Sequence, residues 1–266
     1  MELEIIGYIA AILVGLSLGL IGGGGSILTV PILVYLLGVE AADTAPAYSL
    51  FIVGTASLIG ASIKYKEGFV DMKTAVIFGL PAIFAVYFTR RVLVPAIPDE
   101  IFTIENFIFT KRIFVMGLFA VLMILASVSM IKGRKDVEQT QPQKFNYPLI
   151  LIEGILVGII TGLVGAGGGF IIIPALVMLS KLSMKKAVGT SLVIIAAKSL
   201  FGFLGDLSVI TIDWQLLLIF TALAVAGIFI GNKLSHKIDG SKLKKGFGWF
   251  VLVMGAYIFI KEIFLN

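Results

Sequence analysis

A single lysine is the residue in this chain whose position suggests chemistry most directly. Lys198 lies about two-thirds of the way along Ala187–Gly205, a stretch with no other charged residue. If that stretch crosses a membrane, a lysine there costs about 2.5–3.5 kcal/mol on insertion scales and marks a functional site by default. Its chemistry would be the binding of an anion by an ammonium group. The competing interpretation is that the side chain extends along its aliphatic stem to the interface.

Two glycine runs are the second feature. The runs are Gly22-Gly23-Gly24-Gly25 and Gly165-Ala166-Gly167-Gly168-Gly169, and a proline follows each, Pro31 six residues beyond the first run and Pro174 five beyond the second. Each run interrupts a long uncharged segment, so that neither part of the segment is long enough for a full crossing. The interrupted segments are Ile5–Val39 and Gly154–Ser180.

The glycine runs have a chemical interpretation. Broken helix at membrane depth is tolerated only where it is buried in protein or lines a cavity. Helices that resume near Ser26 and Gly169 would present free N–H groups and about half a positive charge, which suits an anion. Glycine also lets a ligand approach the backbone and adopts the positive φ of anion-binding loops. The alternative is that the glycines only allow close packing of helices.

Hydroxyl groups complete the candidate site. Side chains near the start of two later segments could donate hydrogen bonds to the same anion, or could instead satisfy helix carbonyls. Glu153 could carry a coupling proton, although a position in the membrane interface is the favoured interpretation. The candidate substrate-binding residues are Gly22, Gly23, Gly24, Gly25, Ser26, Tyr48, Ser49, Gly165, Gly167, Gly168, Gly169, Thr190, Ser191 and Lys198.

Composition determines the setting of these residues. Hydrophobic residues make up 59% of the 266 and charged residues only 14%, with a mean hydropathy of +1.08. A soluble fold of this size has too little polar surface to cover such a chain, so we predict an all-α integral membrane protein. The net charge of +5 then indicates lysines and arginines on the cytoplasmic side rather than nucleic-acid binding. With no cysteine and one histidine, His236, no metal site, cofactor or catalytic residue is predicted.

Six further uncharged or nearly uncharged stretches are long enough for single transmembrane helices, and they follow the two broken segments in sets of three. The acidic N-terminus and the lack of a small-residue cleavage site indicate that the first segment is retained. The six stretches are Thr44–Ile63, Thr74–Thr89, Ile113–Ile131, Ala187–Gly205, Trp214–Asn232 and Gly246–Ile260.

The chain repeats itself. Residues 19–31 align without gaps on residues 162–174, and residues 45–50 align on residues 187–192 after a shift of one. We therefore predict two repeats, each a glycine-broken helix followed by three spans. The first is residues 1–131 and the second residues 149–266, with residues 132–148 as a cytoplasmic linker. Internal repeats with interrupted helices at matching positions are a sequence indication of a transporter binding site.

Charge distribution predicts how the repeats are oriented. If each broken segment re-enters the membrane and returns, six crossings remain and the second repeat is inverted. One side then holds 15 lysines and arginines and the other 5, counted without Lys198. If the broken segments cross the membrane completely, the lysines and arginines are distributed between the two sides with only a weak bias. The positive-inside rule therefore favours re-entrant segments, inverted repeats and both termini outside. The basic side holds the loops 64–73, 132–148, 180–186 and 232–245.

The doubled glycine motif resembles a known family. The pattern G-L-[IV]-G-[GA]-G-G-[GS]-x4-P in both halves, with Thr190-Ser191-Leu192 downstream in the second, is similar to the sulfite exporter TauE/SafE family of membrane permeases. The first half departs from it, since Tyr48 stands where the second half has Thr190. The resemblance implies a prokaryotic plasma-membrane protein that transports small sulfur-containing anions such as sulfite, thiosulfate or sulfonates.

Residues and resemblance together predict a secondary transporter. A small anion would bind near the membrane midplane between the two glycine breaks, and the repeats would rock or gate around it. No nucleotide-binding motif is present, so coupling would be to protons, to sodium or to the anion's own gradient. One alternative is an anion channel, which could bind the anion through the same groups. The other is a membrane-embedded enzyme, for which the spans offer few catalytic groups.

Overall fold

The chain folds almost entirely into helices. The computed structural model describes residues 2–104, 107–132, 147–180, 182–235 and 240–264. The predicted linker 132–148 and His236 therefore lie largely outside the described residues. The helices are α1 (Glu2–Ile21), α2 (Thr29–Tyr35), α3 (Thr44–Lys66), α4 (Met72–Phe88), α5 (Val94–Ala96), α6 (Lys111–Lys132), α7 (Tyr147–Val164), α8 (Gly169–Leu179), α9 (Met184–Asp206), α10 (Trp214–Ser235) and α11 (Gly240–Phe264).

Six helices of the described chain are long and apolar enough to cross a membrane, which confirms the predicted class of an all-α membrane protein. At 1.5 Å per residue, helices of about 20 residues span the hydrocarbon core. The remaining apolar helices, those flanking the glycine runs, are shorter. The membrane-length helices correspond to the six predicted spans; they are α3, the continuous stretch Met72–Ala96, α6, α9, α10 and the described part of α11.

The segment between α4 and α6 was predicted only as a loop and has structure of its own. Its first part is a single π-helical turn, Thr89–Leu93, that continues α4 into α5. The second is a short antiparallel hairpin of β1 (Glu100–Ile104) and β2 (Phe107–Thr110). Phe102 stacks on Phe109 across the strands, with ring centroids 4.8 Å apart. Such π-turns in α-helices are frequent at functional positions.

Matching helices of the two halves pack antiparallel. At one end of the bundle, which we call the Arg90 end, Asp43 before α3 and Asp206 at the end of α9 both bond to Arg90. At the opposite Lys64 end, the turn after α3 lies against Gly189 near the start of α9. Helices α3 and α9 therefore run in opposite directions. Inverted halves require this arrangement, and the division into two repeats stays a prediction.

Helix pairing is also symmetric between the halves. Helix α1 packs against α10, and its counterpart α7 packs against α4. The matching pairs α3 with α9 and α6 with α11 pack against each other. Close approach depends on small residues, since a methyl group on Gly154 would lie 3.1 Å from the Phe78 carbonyl oxygen. Helix association in membranes relies on such contacts.

The first glycine-broken segment folds back on itself. Gly7 near its start lies against Leu37 near its end, where an added methyl group would be 2.5 Å from Cδ2 of Leu37. Both ends of this segment therefore lie on the same side of the bundle, as in a hairpin. Re-entry of the hairpin into a membrane stays a prediction, because the structure contains no membrane.

The two glycine breaks differ in conformation. Residues 165–168 have no regular structure, and α8 begins at Gly169, close to where the sequence predicts it. The first run does not leave an unwound gap: Gly22–Leu28 form a 3₁₀ helix, and α2 begins only at Thr29. Tighter i→i+3 bonding satisfies backbone groups that the sequence analysis expected to be unpaired.

Candidate functional site

The two glycine breaks meet in the interior of the bundle. Gly23 lies directly against Gly169, and a methyl group added to Gly23 would lie 2.6 Å from the Gly169 Cα. Gly22 and Gly165 both have positive φ, 74° and 70°, which side chains rarely tolerate. The predicted pairing of the breaks in space is therefore present, and the glycines there serve both close packing and special backbone conformation.

One face of α3 and the matching face of α9 flank the breaks. On α3, Pro46 contacts Gly165 and Val53 contacts Gly167. On α9, Val188 contacts Gly22, and a methyl group on Gly22 would lie 2.6 Å from Val188 Cγ1. Residues separated by three, four or seven positions share one helix face. The region around the breaks is thus lined by one helix of each half, α3 and α9. The α9 face also includes Ile195, which contacts Gly23 and Gly167.

Ser49 and Ser191 lie on these two faces, between the residues that contact the glycines. Both side chains are fully buried. Ser191 Oγ donates to the Val188 carbonyl at 2.8 Å, whereas Ser49 Oγ has no hydrogen-bond partner among the described residues. An unpaired buried hydroxyl is costly. Ser49 therefore carries a buried hydroxyl donor that no described group uses, whereas the Ser191 donor is satisfied within its own helix.

Tyr48 and Thr190 face elsewhere. Tyr48 accepts a hydrogen bond through its hydroxyl oxygen from the backbone N–H of Asp213, just before α10. Thr190 Oγ1 accepts one from the backbone N–H of Asp71, just before α4, at 2.9 Å. Each hydroxyl thus joins one half of the chain to the loop that begins a helix of the other half. The structure therefore gives Tyr48 and Thr190 a structural contact.

Lys198 is on the same face of α9 as Val188, Ser191 and Ile195. Its side chain has 0% of its surface exposed, so it does not reach the interface. Its Nζ donates a hydrogen bond of 2.6 Å to Thr161 Oγ1 on α7. A methyl group on Gly168 would lie only 3.1 Å from that Nζ. The amine therefore lies at the N-terminal end of α8, beside the second glycine break.

Thr161 was missed by the sequence analysis, since nothing in its neighbourhood distinguishes it from other hydroxyls in spans. Its own hydroxyl donates to the Val157 carbonyl at 2.7 Å, so toward Lys198 it acts only as an acceptor. Ser26, which the sequence analysis placed in the site, donates to the Gly23 carbonyl at 2.7 Å and is buried. Ser26 thereby stabilises the 3₁₀ turn of the first break.

Glu153 lies away from the breaks. It is two helical turns before Thr161 on α7 and lines an apolar groove of about 590 Å³ between α6, α7 and α8, with Leu122, Phe170 and Pro174. Its Oε2 is buried without a hydrogen-bond partner among the described residues. No described contact connects Glu153 to Lys198.

A buried ion pair closes the bundle at the Arg90 end. Arg90 Nε lies 2.8 Å from both carboxylate oxygens of Asp206, and its Nη2 donates to the Asp43 carbonyl at 2.9 Å. Lys111 in turn pairs with the Asp43 carboxylate at 2.8 Å. Arg90 comes directly after the predicted span Thr74–Thr89. The sequence contains one indication of this ion pair. Arg90 and Asp206 have opposite charges and each directly follows a predicted span, and the inverted arrangement places both on the same side of the membrane.

At the Lys64 end, the described ion pair is partly exposed. Lys64 pairs with Glu67 at 2.8 Å, and Asn232 at the end of α10 donates to the same carboxylate at 3.4 Å. These side chains are partly exposed, and exposed pairs contribute little. Among the described residues, the ion pair at the Arg90 end is therefore more deeply buried than the ion pair at the Lys64 end.

The loop before α3 carries a locally bonded carboxylate. Glu40 accepts hydrogen bonds from the backbone N–H groups of Thr44 at 3.0 Å and Asp43 at 2.8 Å, and from that of Ala42. Burial alone would raise the pKa of Glu40, but these hydrogen bonds outweigh it and lower the pKa below its ordinary value. A carboxylate at a helix N-terminus is also favoured by the helix dipole.

Comparison with known proteins identifies the family. The profile described as sulfite exporter TauE/SafE matches residues 7–258. The chain belongs to this family. A probable membrane transporter protein of Xylella fastidiosa (strain 9a5c) is 28% identical over 251 residues, covering 92% of this chain and 91% of that protein. Probable membrane transporter protein YdhB of Bacillus subtilis is 27% identical, covering 87% of this chain and 90% of that protein.

A third relative is similar over nearly the whole chain. Probable membrane transporter protein MJ0441 of Methanocaldococcus jannaschii is 27% identical, covering 97% of this chain and 94% of that protein. No solved structure matches the chain. Family, relatives and fold together make this TauE/SafE member a multi-pass membrane transporter.

Proposed function

We propose that this chain is a secondary transporter that moves a small sulfur-containing anion, such as sulfite, thiosulfate or a sulfonate, across the prokaryotic plasma membrane. The anion binds between the two glycine breaks. Family membership supports a sulfur anion as the substrate. The observation that carries the position of the site is the location of Lys198, a fully buried amine beside the N-terminal end of α8.

Several groups would hold the anion there. The first amides of α8 follow Gly168, which has no side-chain cap, and such amides bind anions. Lys198 would supply a positive charge, and Ser49 and Ser191 would donate hydrogen bonds from opposite sides. Tyr48 and Thr190 would act indirectly, by fixing how the two halves are joined.

Transport requires the halves to move, because the glycines at the breaks are buried and packed against each other. In alternating access, one half rocks against the other around a fixed site. The buried Arg90–Asp206 pair would hold one end closed while the Lys64 end, where the described ion pair is partly exposed, opens. Both termini would then lie on the Arg90 side, outside the cell.

A thermal-shift screen of the purified protein tests the proposal. Sulfite, thiosulfate, sulfoacetate and taurine are the trial solutes, and sulfate is the matched anion without reduced sulfur or an organic group. We expect stabilisation by at least one sulfur anion and its loss in Lys198→Ala. Unchanged stabilisation in that variant would remove Lys198 from the site. Absence of any anion effect would contradict the proposed function.

Flux measurements in proteoliposomes separate a carrier from the alternative, an anion channel. A carrier gives uptake that saturates with concentration, because each cycle needs a conformational change. Unitary currents in a planar bilayer would instead support a channel.

A further inference from the structure

Lys198 is buried without a counter-ion among the described residues. Its hydrogen bond goes to Thr161, a neutral hydroxyl that acts only as acceptor toward it. The ion pairs of the described chain involve Lys64, Arg90, Lys111 and Arg112 instead. A charged group removed from water is strongly disfavoured unless it is paired. Without an anion, the amine of Lys198 is therefore better accommodated in its neutral form.

The end of α8 strengthens this preference. The N-terminal end of a helix carries about half a positive charge, and Lys198 Nζ is in close contact with Gly168 at that end. An ammonium group and a helix N-terminus repel each other unless an anion lies between them. The same two groups that make the site suitable for an anion thus make it unsuitable for an unpaired ammonium group.

Titratable groups near α9 are engaged elsewhere or lie at its ends. Arg90 binds Asp206, Lys64 binds Glu67, and Tyr48 accepts from Asp213. Glu153 lines the groove toward α6. No titratable residue occurs in 22–28 or in α8. The titratable residues of α9 and of the helices that contact it are, besides Lys198, Tyr48, Lys64, Tyr65 and Lys66 on α3, Lys73, Tyr87, Arg90 and Arg91 on α4 and its π-turn, Tyr147 and Glu153 on α7, and Lys185, Lys186 and Asp206 on α9 itself.

We propose that Lys198 carries a proton together with the anion, so that the transporter is a proton–anion symporter. As the anion enters, the neutral Nζ takes up one proton from the bulk solution on that side, through the water that enters with the anion, and becomes an ammonium ion paired with the anion. As the anion leaves on the other side, the proton returns to water there. This inference rests on the proposed function and adds the coupling ion to it.

Proton counting during binding tests the proposal. Purified full-length protein in weakly buffered detergent solution is titrated with thiosulfate, which does not itself titrate near neutral pH, and a pH indicator records the protons taken up. We expect uptake that rises toward one proton per bound thiosulfate as the pH is raised from 7 to 9. The amount of bound thiosulfate is measured separately by thermal shift or calorimetry.

Two substitutions at Lys198 separate charge from proton exchange. Arginine stays charged at all these pH values, so Lys198→Arg is expected to bind thiosulfate with less than one-tenth of the wild-type proton uptake. Lys198→Gln cannot take up a proton and is expected to bind at least tenfold more weakly. Lys198→Gln also tests the proposal if the protein cannot accommodate an arginine side chain at this position. Lys66→Arg, at an exposed position, is the matched control and should leave both binding and uptake unchanged.

Failure of this inference can be told from failure of the proposed function. Thiosulfate binding by the wild type without proton uptake would overturn the inference and leave an anion transporter. Undiminished uptake in Lys198→Arg would also overturn it, because the proton would then go to another group. If neither thiosulfate nor the other sulfur anions bind the folded wild type, the proposed function itself fails.

Discussion

Arg90 and Asp206 form an ion pair with almost no exposure to solvent, 0% and 1% of their side-chain surfaces, and Arg90 Nε lies 2.8 Å from each carboxylate oxygen. Arg90 also bonds to the Asp43 carbonyl. The pair therefore ties the end of α4 to the end of α9 and to the start of α3. Removal of one partner leaves an uncompensated buried charge, which costs about 3–5 kcal/mol.

Asp206→Asn should therefore destabilise the protein in detergent by several kcal/mol, measured from its thermal or denaturant unfolding. Lys64→Met is the matched change at the other end, where the pair is partly exposed, and should cost about 1 kcal/mol or less. Equal losses in the two variants would contradict the larger contribution expected of the buried ion pair.

The contact between the breaks predicts a steric effect. Gly23→Ala places a methyl group 2.6 Å from the Gly169 Cα, where the backbone cannot move aside easily. We expect a loss of about 1–3 kcal/mol in stability together with loss of anion binding. Gly117→Ala, a helical glycine with open space around it, should be neutral or stabilising. A Gly23→Ala variant as stable and active as wild type would exclude the close contact.

Hydroxyl substitutions should separate ligand contacts from structural ones. Thr190→Val removes the acceptor for the Asp71 N–H and should cost about 1 kcal/mol of stability, with little change in anion affinity once folded. Ser49→Ala removes a buried hydroxyl without a described partner. It should leave stability nearly unchanged and weaken anion binding. Thermal unfolding with and without thiosulfate measures both, and the reverse pattern would restore Thr190 as the ligand contact.

Glu40 predicts a pH-dependent contribution to stability. Its pKa is lowered in the folded state by hydrogen bonds from the backbone, so the unfolded chain binds the proton more readily. Its stabilising effect is therefore fully present above the ordinary glutamate pKa and is lost as the pH falls through the folded value. Glu40→Gln should lower the melting temperature at pH 7, and the difference from wild type should shrink toward pH 3. A difference that does not depend on pH would contradict this.

Membrane orientation can be tested because the natural chain has no cysteine. Single cysteines at exposed positions, Glu100→Cys at the Arg90 end and Lys66→Cys at the Lys64 end, are treated with a membrane-impermeant maleimide in intact cells. We expect Glu100→Cys to be labelled directly and Lys66→Cys only after permeabilisation, since lysines and arginines concentrate on the cytoplasmic side. The unsubstituted chain is the control, and the opposite labelling would reverse the proposed orientation.

Much of the site could be predicted from the sequence because its main features are local. Glycine runs that cut apolar segments short indicate broken helices whatever their neighbours are. A charged residue inside an apolar stretch, Lys198, must find a partner in the interior. Repetition of the glycine pattern indicated that the two breaks belong together, and Gly23 and Gly169 are in contact.

The sequence could not predict which of the candidate hydroxyl groups face the glycine breaks. Tyr48 and Ser49 are neighbours in the chain, as are Thr190 and Ser191, and the sequence gives no reason to separate them. Successive residues on a helix point about 100° apart, so only one of each pair can face the breaks. The contacts of Pro46 and Val53 with the glycines decide that Ser49 does, and Tyr48 instead reaches Asp213.

The sequence by itself determined a helical membrane protein with two matching glycine runs and one interior lysine, because hydropathy and backbone freedom are properties of short segments. Only the tertiary structure decided which side chains are in contact with each other. Arg90 bonds to Asp206, 116 residues away in the chain, and Lys198 bonds to Thr161, 37 residues away. The first glycine run forms a 3₁₀ helix. Such contacts depend on how helices are rotated and packed, which is set by the whole bundle.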